Sequence, residues 1–232
     1  MAGPIKKLPS SNETLIYMNI SYIMVSSPEV VKDLENNSRV EFLNKIEPYY
    51  FYKIRGPHNY VEVMSNIPYR YKPEDWVWDM LEWYLNADNT DNPVIYDDGS
   101  SEVKKFPEIR KEELKNVPEN PVKVRGEVIY ENIEREKIEF ITTAIEQPHL
   151  IKVSYFPNWQ AVGAEGPYLV SPSFMMVIPT QSKVTVYYGM TLANKIWVTL
   201  SISGWLIIFS VLVLNLVFYL KSRASLQKAD YK

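Results

Sequence analysis

The side chains that most often carry out catalysis are scarce in this sequence. It has two histidines, His58 in RGPHNY and His149 in EQPHL, and no cysteine. Neither histidine shares a metal-ligand spacing with acidic residues, and no HExxH, GxSxG, Walker A or GxGxxG pattern occurs. The lack of cysteine excludes disulfides, zinc–thiolate sites and cysteine nucleophiles. The sequence therefore predicts no catalytic residue, no cofactor and no bound metal.

One group of acidic residues has the oxygen-rich chemistry that calcium prefers. Asp88, Asp91, Asp97 and Asp98 lie close together in a region rich in turn-forming residues. Carboxylate oxygens on loops bind calcium, but the spacing here does not match an EF-hand loop. We therefore interpret the cluster as a solvated turn region.

Aromatic side chains in one part of the sequence could bind a ligand or a partner protein. Tyr155, Phe156, Trp159 and Tyr168 cluster around an FPNW sequence. Exposed aromatic rings stack on sugars and pack on proteins alike, so this cluster is a candidate contact for a glycan or a partner. The alternative is that Phe156 and Trp159 close the core of a β-sheet module.

A tryptophan-rich helix is predicted over Pro73–Asn86, PEDWVWDMLEWYLN. Its polar side chains fall at helical spacing on one stripe: Asp75, Asp79, Glu82 and Asn86. The other positions are mostly apolar and include Trp76, Trp78 and Trp83. A helix this apolar must bury most of its surface, and we expect it to pack between the two soluble parts of the chain. Contact with a partner or the bilayer surface, or stacking on a sugar, are the alternatives.

Residues 196–220 form an uncharged apolar run between Lys195 and Lys221. About 20 such residues cross the hydrocarbon core of a bilayer, so this run predicts one transmembrane helix. Thr199, Ser203 and Ser210 fall within about 40° of one another on it, at about 100° per residue. Such a stripe lets a second helix approach closely, and Asn215 off the stripe is a candidate contact with a second membrane subunit. Alternatively, the threonine and serine hydroxyls of the stripe bond to their own backbone.

Positive charge after the predicted span indicates its orientation. Lys221, Arg223, Lys228 and Lys232 lie in the tail 221–232, which the positive-inside rule places in the cytoplasm with the large domain outside. Three glycosylation tripeptides, beginning at Asn12, Asn19 and Asn36, are compatible with that side. The N-terminal residues contain no secretory apolar stretch. The chain is then a piece of a larger membrane protein, is exported by its own C-terminal helix, or is tail-anchored with a cytoplasmic domain.

The soluble region is predicted to be α+β, in two parts. Residues 1–96 form a small α/β part, 97–121 a linker, and 122–189 a β-sandwich or jelly-roll-like module. In the first part we expect a helix over Pro28–Glu35 and these strands: Leu15–Val25, Val40–Ile46, Tyr49–Ile54 and Tyr60–Met64. In the second we expect five strands: Gly126–Ile133, Lys137–Ile145, Leu150–Phe156, Met175–Ile178 and Lys183–Tyr188. The net charge is −3 and the basic residues are scattered, which argues against nucleic acid as a partner.

Two segments resemble parts of a known family. The first runs from Leu150 to the apolar helix, and its matching residues are Tyr155, Phe156, Pro157, Trp159, Gly163, Gly166, Pro172, Pro179 and Tyr188. The second comprises residues 20–25, 40–46 and 49–54. Together they resemble the C-terminal extracytoplasmic module and last membrane helix of YfhO-like, glycosyltransferase-C-like polytopic membrane proteins of prokaryotes. The acidic loop that carries the family's chemistry does not occur here, so no catalytic residue is carried over. The resemblance implies an outward-facing domain attached to the cell envelope.

These observations lead to one main functional hypothesis. The protein is expected to be a non-catalytic, single-pass accessory subunit whose exterior domain packs on another membrane or envelope protein. The alternative is a glycan-binding module, or the detached C-terminal part of a membrane glycosyltransferase-like protein. The bilayer is a partner under either hypothesis.

Overall fold

A computed structural model describes residues 12–85 and 89–229 of the chain. The chain divides into two compact units, Met1–Tyr188 and Gly189–Lys232. The first unit is a sandwich-like β region with a small helical part, and the second contains one long apolar helix. The predicted fold class, α+β with a C-terminal apolar helix, is confirmed.

The helices are α1 (Asn12–Tyr17), α2 (Pro28–Glu35), α3 (Trp76–Tyr84) and α4 (Leu192–Ala229), with a 3-10 helix at Lys111–Lys115. The strands are β1 (Tyr22–Val25), β2 (Val40–Ile46), β3 (Tyr49–Ile54), β4 (Val61–Val63), β5 (Tyr69–Tyr71), β6 (Val94–Tyr96), β7 (Val128–Ile133), β8 (Lys137–Thr142), β9 (His149–Ile151), β10 (Trp159–Val162), β11 (Ala164–Val170), β12 (Phe174–Pro179) and β13 (Lys183–Tyr188).

A six-stranded sheet in the order β4-β9-β12-β11-β6-β5 lies at the centre of the first unit. Its neighbouring strands are antiparallel except for β5 and β6, which are parallel. Alternate side chains of β12 enter different hydrophobic clusters: Phe174 and Met176 enter one, Met175 and Val177 the other. Because both faces of this strand are covered, its sequence reads as a continuous apolar run rather than an alternation.

A four-stranded antiparallel sheet, β10-β13-β8-β7, covers one face of the central sheet and forms the sandwich with it. The core between them is apolar and includes Val61, Ile138, Phe140, Ile151, Val184 and Val186. Glu131 on β7 ties the two sheets together, because its carboxylate accepts hydrogen bonds from the backbone amides of Tyr60 at 3.1 Å and Val61 at 2.8 Å.

The other face of the central sheet is covered by α3, by Tyr17 of α1 and by the region predicted to be a linker. That region contributes the buried side chains Val103, Phe106, Ile109, Leu114 and Val117 to the largest hydrophobic cluster. The structure therefore differs from the prediction for residues 97–121. Their apolar residues have no regular period, because the segment is mostly irregular and places side chains in the core one by one.

The boundary that was predicted between two soluble parts does not separate the strands of the central sheet. This sheet takes β4, β5 and β6 from residues before the predicted linker and β9, β11 and β12 from residues after it. The structure also adds β10 and β11, which the sequence did not predict. Prolines and glycines interrupt their apolar pattern, with a register shift between Glu165 and Tyr168.

A third sheet, β1-β3-β2, packs on α2 through a small cluster around Val30, Leu34 and Tyr52. The prediction of α2 is confirmed: Pro28 stands in its first turn, and Asn36 ends it. Ser27 occupies the N-cap position, but its side chain makes no capping hydrogen bond.

The predicted strand Leu15–Val25 was wrong over its first half. Residues up to Tyr17 belong to α1, and β1 begins only at Tyr22. Asn19 has a φ of 55°, and the amides of Asn19 and Ile20 donate to the carbonyls of Ile16 and Leu15 at 2.9 Å each. This left-handed residue closes the helix, as asparagine does more readily than most residues.

The second unit contains α4, in which Leu192–Tyr219 is long and apolar enough to cross a membrane. This agrees with the apolar span predicted over residues 196–220. None of this segment is buried within the structure. Exposure of that much apolar surface is expected of a helix whose surroundings are lipid or another protein.

Candidate functional site

The helix α3 has one side fixed in the core. Asp75 caps its start by accepting hydrogen bonds from the amides of Val77 at 3.0 Å and Trp78 at 3.3 Å. Trp83 is 1% exposed, and its indole donates to the carbonyl of Asn92 at 3.1 Å. Trp83 therefore lies in the core and is removed from the candidate partner contacts.

Asp79 is also buried on this side of α3, so the predicted polar stripe does not face solvent along its length. Its carboxylate accepts a hydrogen bond from the Tyr71 hydroxyl at 2.9 Å and lies 2.7 Å from Lys111 Nζ. Burial disfavours the charged carboxylate, but the bonds from Lys111 and Tyr71 outweigh it and hold the pKa of Asp79 below its ordinary value. This arrangement joins α3 to the 3-10 helix.

The opposite side of α3 is apolar and open. The side chains of Val77, Trp78, Leu81 and Leu85 are all exposed, Trp78 at 67%. Their positions i, i+1, i+4 and i+8 form one continuous stripe. An exposed stripe of large apolar side chains is the feature that marks a contact surface on a soluble domain.

A groove of about 350 Å³ runs along this stripe. Its lining is almost entirely apolar and includes Met18, Trp78, Leu81, Tyr84 and Pro172. One wall is held in place by Trp76, whose indole donates to the Pro172 carbonyl at 3.2 Å and meets the Tyr96 ring edge-on at 5.3 Å between centroids. We refer to this feature as the α3 groove. It combines a rigid wall with exposed apolar side chains.

The aromatic residues predicted around the FPNW sequence fall into two groups. Trp159 and Tyr168 are buried, and Trp159 packs edge-on against Tyr188 at 5.5 Å between ring centroids. Phe156 is exposed and Tyr155 is half-buried. The alternative of core closure thus describes Trp159, whereas Phe156 stays on the surface.

Tyr155 and Tyr168 nevertheless line the same cavity, of about 260 Å³. Tyr96, Asp98 and Glu102 join them there. A second, more polar cavity of about 560 Å³ shares Glu102 and Tyr168 with the first and also contains Lys105 and Glu165. We refer to the two cavities together as the tyrosine groove. It offers aromatic rings beside carboxylates, which is a chemistry suited to polyhydroxylated ligands.

The ionisable groups of the tyrosine groove influence one another. Burial raises the pKa of the Tyr155 hydroxyl, and the charge of Asp98 raises it further. Burial also raises the pKa of Tyr168, against the effect of Lys105, whose Nζ lies 5.6 Å from the centre of the Tyr168 ring and pairs with Glu165. Both phenols therefore stay protonated at neutral pH and can donate hydrogen bonds.

The sequence did not point to Tyr96, Glu102 or Lys105 as members of a site. They come from a segment interpreted as turns and linker, far along the chain from Tyr155 and Tyr168. The parallel pairing of β5 with β6 and the pairing of β6 with β11 bring these segments together. No local pattern signals such pairings.

The residues considered for catalysis or metal binding have structural partners. His149 is fully buried, with Nε2 at 2.8 Å from Thr142 Oγ1 and Nδ1 at 2.8 Å from the Gln147 carbonyl. Nε2 of His58 lies 2.9 Å from the Ile54 carbonyl. Asp97 forms an ion pair with Arg70 at 2.5 Å, and Asp88 lies outside the described residues. In residues 12–85 and 89–229, no group of three His, Cys, Asp or Glu side chains is placed to hold a metal ion.

The polar residues predicted to mediate helix packing on α4 all bond to their own backbone. The hydroxyls of Thr199, Ser203 and Ser210 each donate to the carbonyl four residues earlier, at 2.8 Å. Asn215 Nδ2 donates to the Val211 carbonyl at 3.0 Å. The hydroxyls are thereby satisfied without a second helix, but a side-chain amide has a second N–H and an acceptor oxygen to offer. Asn215 is the stronger candidate for a contact between helices.

Comparisons with models of protein families, with curated proteins and with solved structures found no match for this chain.

Proposed function

We propose that this protein is a non-catalytic, single-pass accessory subunit of the cell membrane. The apolar segment Leu192–Tyr219 would anchor it in the bilayer, and the large domain would lie outside the cytoplasm. The basic residues from Lys221 to Lys232 support this orientation through the positive-inside rule. The resemblance of the FPNW region to extracytoplasmic modules supports it independently.

The observation that carries the proposal is the α3 groove. Trp78, Val77 and Leu81 are exposed beside a rigid wall, on a helix whose other side is fixed in the core. Tryptophan side chains dominate the binding energy of many protein interfaces when a partner covers them. The groove thus has the composition of an interface core rather than of ordinary solvated surface.

Charge at the edge of the groove indicates the chemistry of the partner. At about 100° per residue, Asp75 and Glu82 follow the apolar stripe on the side of Trp78. Complementary charge favours the correct partner and sets its orientation. The partner is therefore a protein segment that presents two or three large apolar side chains bordered by lysine or arginine.

A pull-down from mild detergent, using the full-length protein from the membranes of its own cells, tests this function. We expect the parent to recover a stoichiometric membrane or envelope protein, and Trp78→Ala or Leu81→Asp to recover about ten-fold less, because each removes apolar contact from the groove. Ile129→Ala is the matched control, since Ile129 is 63% exposed on β7 and lies outside the α3 groove.

Two results would overturn the proposal. One is a parent protein that recovers no partner while every membrane complex stays intact in cells that lack it. The other is a partner that Trp78→Ala, Leu81→Asp and Ile129→Ala all recover as well as the parent does.

A second candidate function is binding of an envelope glycan, and the tyrosine groove favours it. Its tyrosines can pack against the apolar faces of sugar rings, while the carboxylates of Asp98 and Glu102 can accept hydrogen bonds from sugar hydroxyls. Asp98 and Glu102 are exposed, so their replacement does not disturb the core.

Titration of the purified protein with soluble envelope oligosaccharides tests the second candidate. We expect Asp98→Asn with Glu102→Gln to weaken binding about ten-fold, because neutral amides accept weaker hydrogen bonds than carboxylates do. Glu119→Gln serves as the control at an exposed carboxylate outside the tyrosine groove. A parent protein that binds no oligosaccharide removes this candidate and leaves the accessory role standing.

A further inference from the structure

The three glycosylation tripeptides of the sequence occupy very different surroundings in the fold. Each reads Asn-x-Ser or Asn-x-Thr without proline in the middle, which is the pattern that N-glycosylating enzymes accept. An acceptor must be reached by the enzyme, so the accessibility of the asparagine and of the hydroxyl two residues later distinguishes among the three.

The tripeptide Asn36-Asn37-Ser38 lies in an exposed turn between α2 and β2. Asn36 and Ser38 are both exposed, and the turn is held by backbone amides: Val40 donates to the carbonyl of Asn37 at 3.1 Å, and Arg39 donates to its side chain at 3.0 Å. Asn36 Nδ2 donates to the Lys32 carbonyl at 2.9 Å at the surface of the domain. An enzyme can reach this amide without opening the fold.

The tripeptide Asn19-Ile20-Ser21 is tied into the domain. Asn19 has left-handed backbone, and its side-chain oxygen is buried. The carbonyl of Ser21 accepts a hydrogen bond from the Ile54 amide at 2.9 Å where β1 begins beside β3. In the third tripeptide, which starts at Asn12, the hydroxyl residue Thr14 is 1% exposed. The hydroxyl residue of the Asn12 tripeptide is therefore buried, and Asn19 and Ser21 of the Asn19 tripeptide are half-buried, whereas Asn36 and Ser38 are both exposed.

We propose that Asn36 is an N-glycosylation site of the folded domain and that Asn12 and Asn19 are not. This inference rests on the exterior orientation of the domain in the proposed function. The donor is a lipid-linked oligosaccharide, supplied with the transferase on the outer side of the membrane.

The transfer exchanges one bond for another at the sugar. Asn36 Nδ2 forms a bond to the anomeric carbon, the bond from that carbon to the lipid phosphate breaks, and the phosphate leaves with the electron pair. The amide loses one proton, which balances the negative charge that the phosphate gains as it leaves. Nδ2 keeps its second proton, so the glycosylated side chain can still donate to the Lys32 carbonyl and cap α2.

Mass spectrometry of the full-length protein from its own membranes tests the proposal. We expect one oligosaccharide per chain, on the peptide that contains Asn36. It is lost completely in Asn36→Gln and in Ser38→Ala, and retained in Ser38→Thr, which preserves the acceptor pattern. It is also retained in Asn19→Gln. An oligosaccharide on Asn12 or on Asn19, or none on Asn36, would overturn the inference.

The orientation of the domain is measured separately by labelling an introduced cysteine. The label is specific, because the chain has no cysteine of its own. Asp33→Cys places a unique thiol on the exposed side of α2, and intact cells are treated with a membrane-impermeant maleimide. A labelled protein with unmodified Asn36 overturns the glycosylation site and leaves the exterior orientation in place. An unlabelled protein overturns the exterior orientation and the glycosylation site together.

Discussion

At the scale of single residues, His149 is a buried ionisable side chain with a partner at each ring nitrogen. A carbonyl only accepts hydrogen bonds, so Nδ1 carries a proton toward Gln147, and Nε2 faces the Thr142 hydroxyl oxygen. Its ring stacks on Phe140 with 5.5 Å between centroids. Burial lowers the pKa of His149 below its ordinary value, although the Gln147 carbonyl works in the opposite direction.

This depressed pKa predicts a loss of stability in mild acid. The unfolded chain takes up a proton near pH 6.5, while the native imidazole remains neutral to lower pH. The contribution of His149 to the free energy of unfolding is constant above about pH 6.5. Below that pH it falls, by at most about 1.4 kcal/mol per pH unit, until the native pKa of His149 is reached.

Urea unfolding of the protein at a series of pH values from 7.5 to 5 measures this effect. We expect the free energy of unfolding of His149→Gln to depend less steeply on pH than that of the parent over this range, whatever its absolute stability. His58→Gln is the control, since His58 is only partly buried. Equal slopes for the parent and His149→Gln would contradict the assignment.

At the scale of elements, the two sides of α3 have opposite surroundings. Trp83 and Trp78 are chemically identical, yet the first closes the largest hydrophobic cluster and the second borders the α3 groove. We expect Trp83→Ala to cost about 3–5 kcal/mol of unfolding free energy, because it leaves a cavity and an unpaired Asn92 carbonyl. Trp78→Ala should change stability by no more than about 0.5 kcal/mol.

Urea denaturation followed by circular dichroism compares the two variants directly. If Trp83→Ala does not fold, Trp83→Phe provides an intermediate loss, since it keeps most of the apolar volume but not the indole N–H. A Trp78→Ala variant as unstable as Trp83→Ala would mean that Trp78 belongs to the core, and the proposal that the α3 groove binds a partner would lose its main support.

Some of these elements could be predicted from the sequence and others could not. Short amphipathic elements with clear ends were predictable: α2 between Pro28 and Asn36, and β2, β3 and β13 at their observed bounds. The tryptophan helix was predictable from its length and composition, but not which tryptophan would face the core. A polar stripe at helical spacing suggested that Asp79 was solvated, whereas Tyr71 and Lys111 make its burial favourable.

The tyrosine groove could not be predicted from the sequence, for a different reason. Its members Tyr96 and Glu102 meet Tyr155 and Tyr168 only through pairings between distant strands. Periodicity predicts local elements and says nothing about which strands become neighbours. The two aromatic residues were identified as a possible binding surface, but their acidic neighbours were not.

At the scale of the whole molecule, the two compact units predict an independently folding domain. The described hydrophobic clusters lie within the first unit, which ends at Tyr188. We expect a chain truncated after Gly189 to be soluble and to unfold in one cooperative transition, at the same urea concentration by tryptophan fluorescence and by circular dichroism. Separate transitions for the two probes would mean that a partly folded state is populated and that the first unit does not unfold as one cooperative domain.

The strand order of the central sheet sets a sequence of events during synthesis. Its edge strands β4 and β5 come from the early part of the chain. The strands β9, β12 and β11, which lie between them in the sheet, are synthesised much later. During synthesis from the N-terminus, β5 and β6 can pair with each other, but β4 has no neighbouring strand until β9 is made. Closure of the sheet must therefore wait for contacts between distant segments. The last central strand emerges shortly before the apolar helix. If Leu192–Tyr219 inserts into a membrane as proposed above, closure of the central sheet and insertion of this helix follow one another within a short stretch of synthesis.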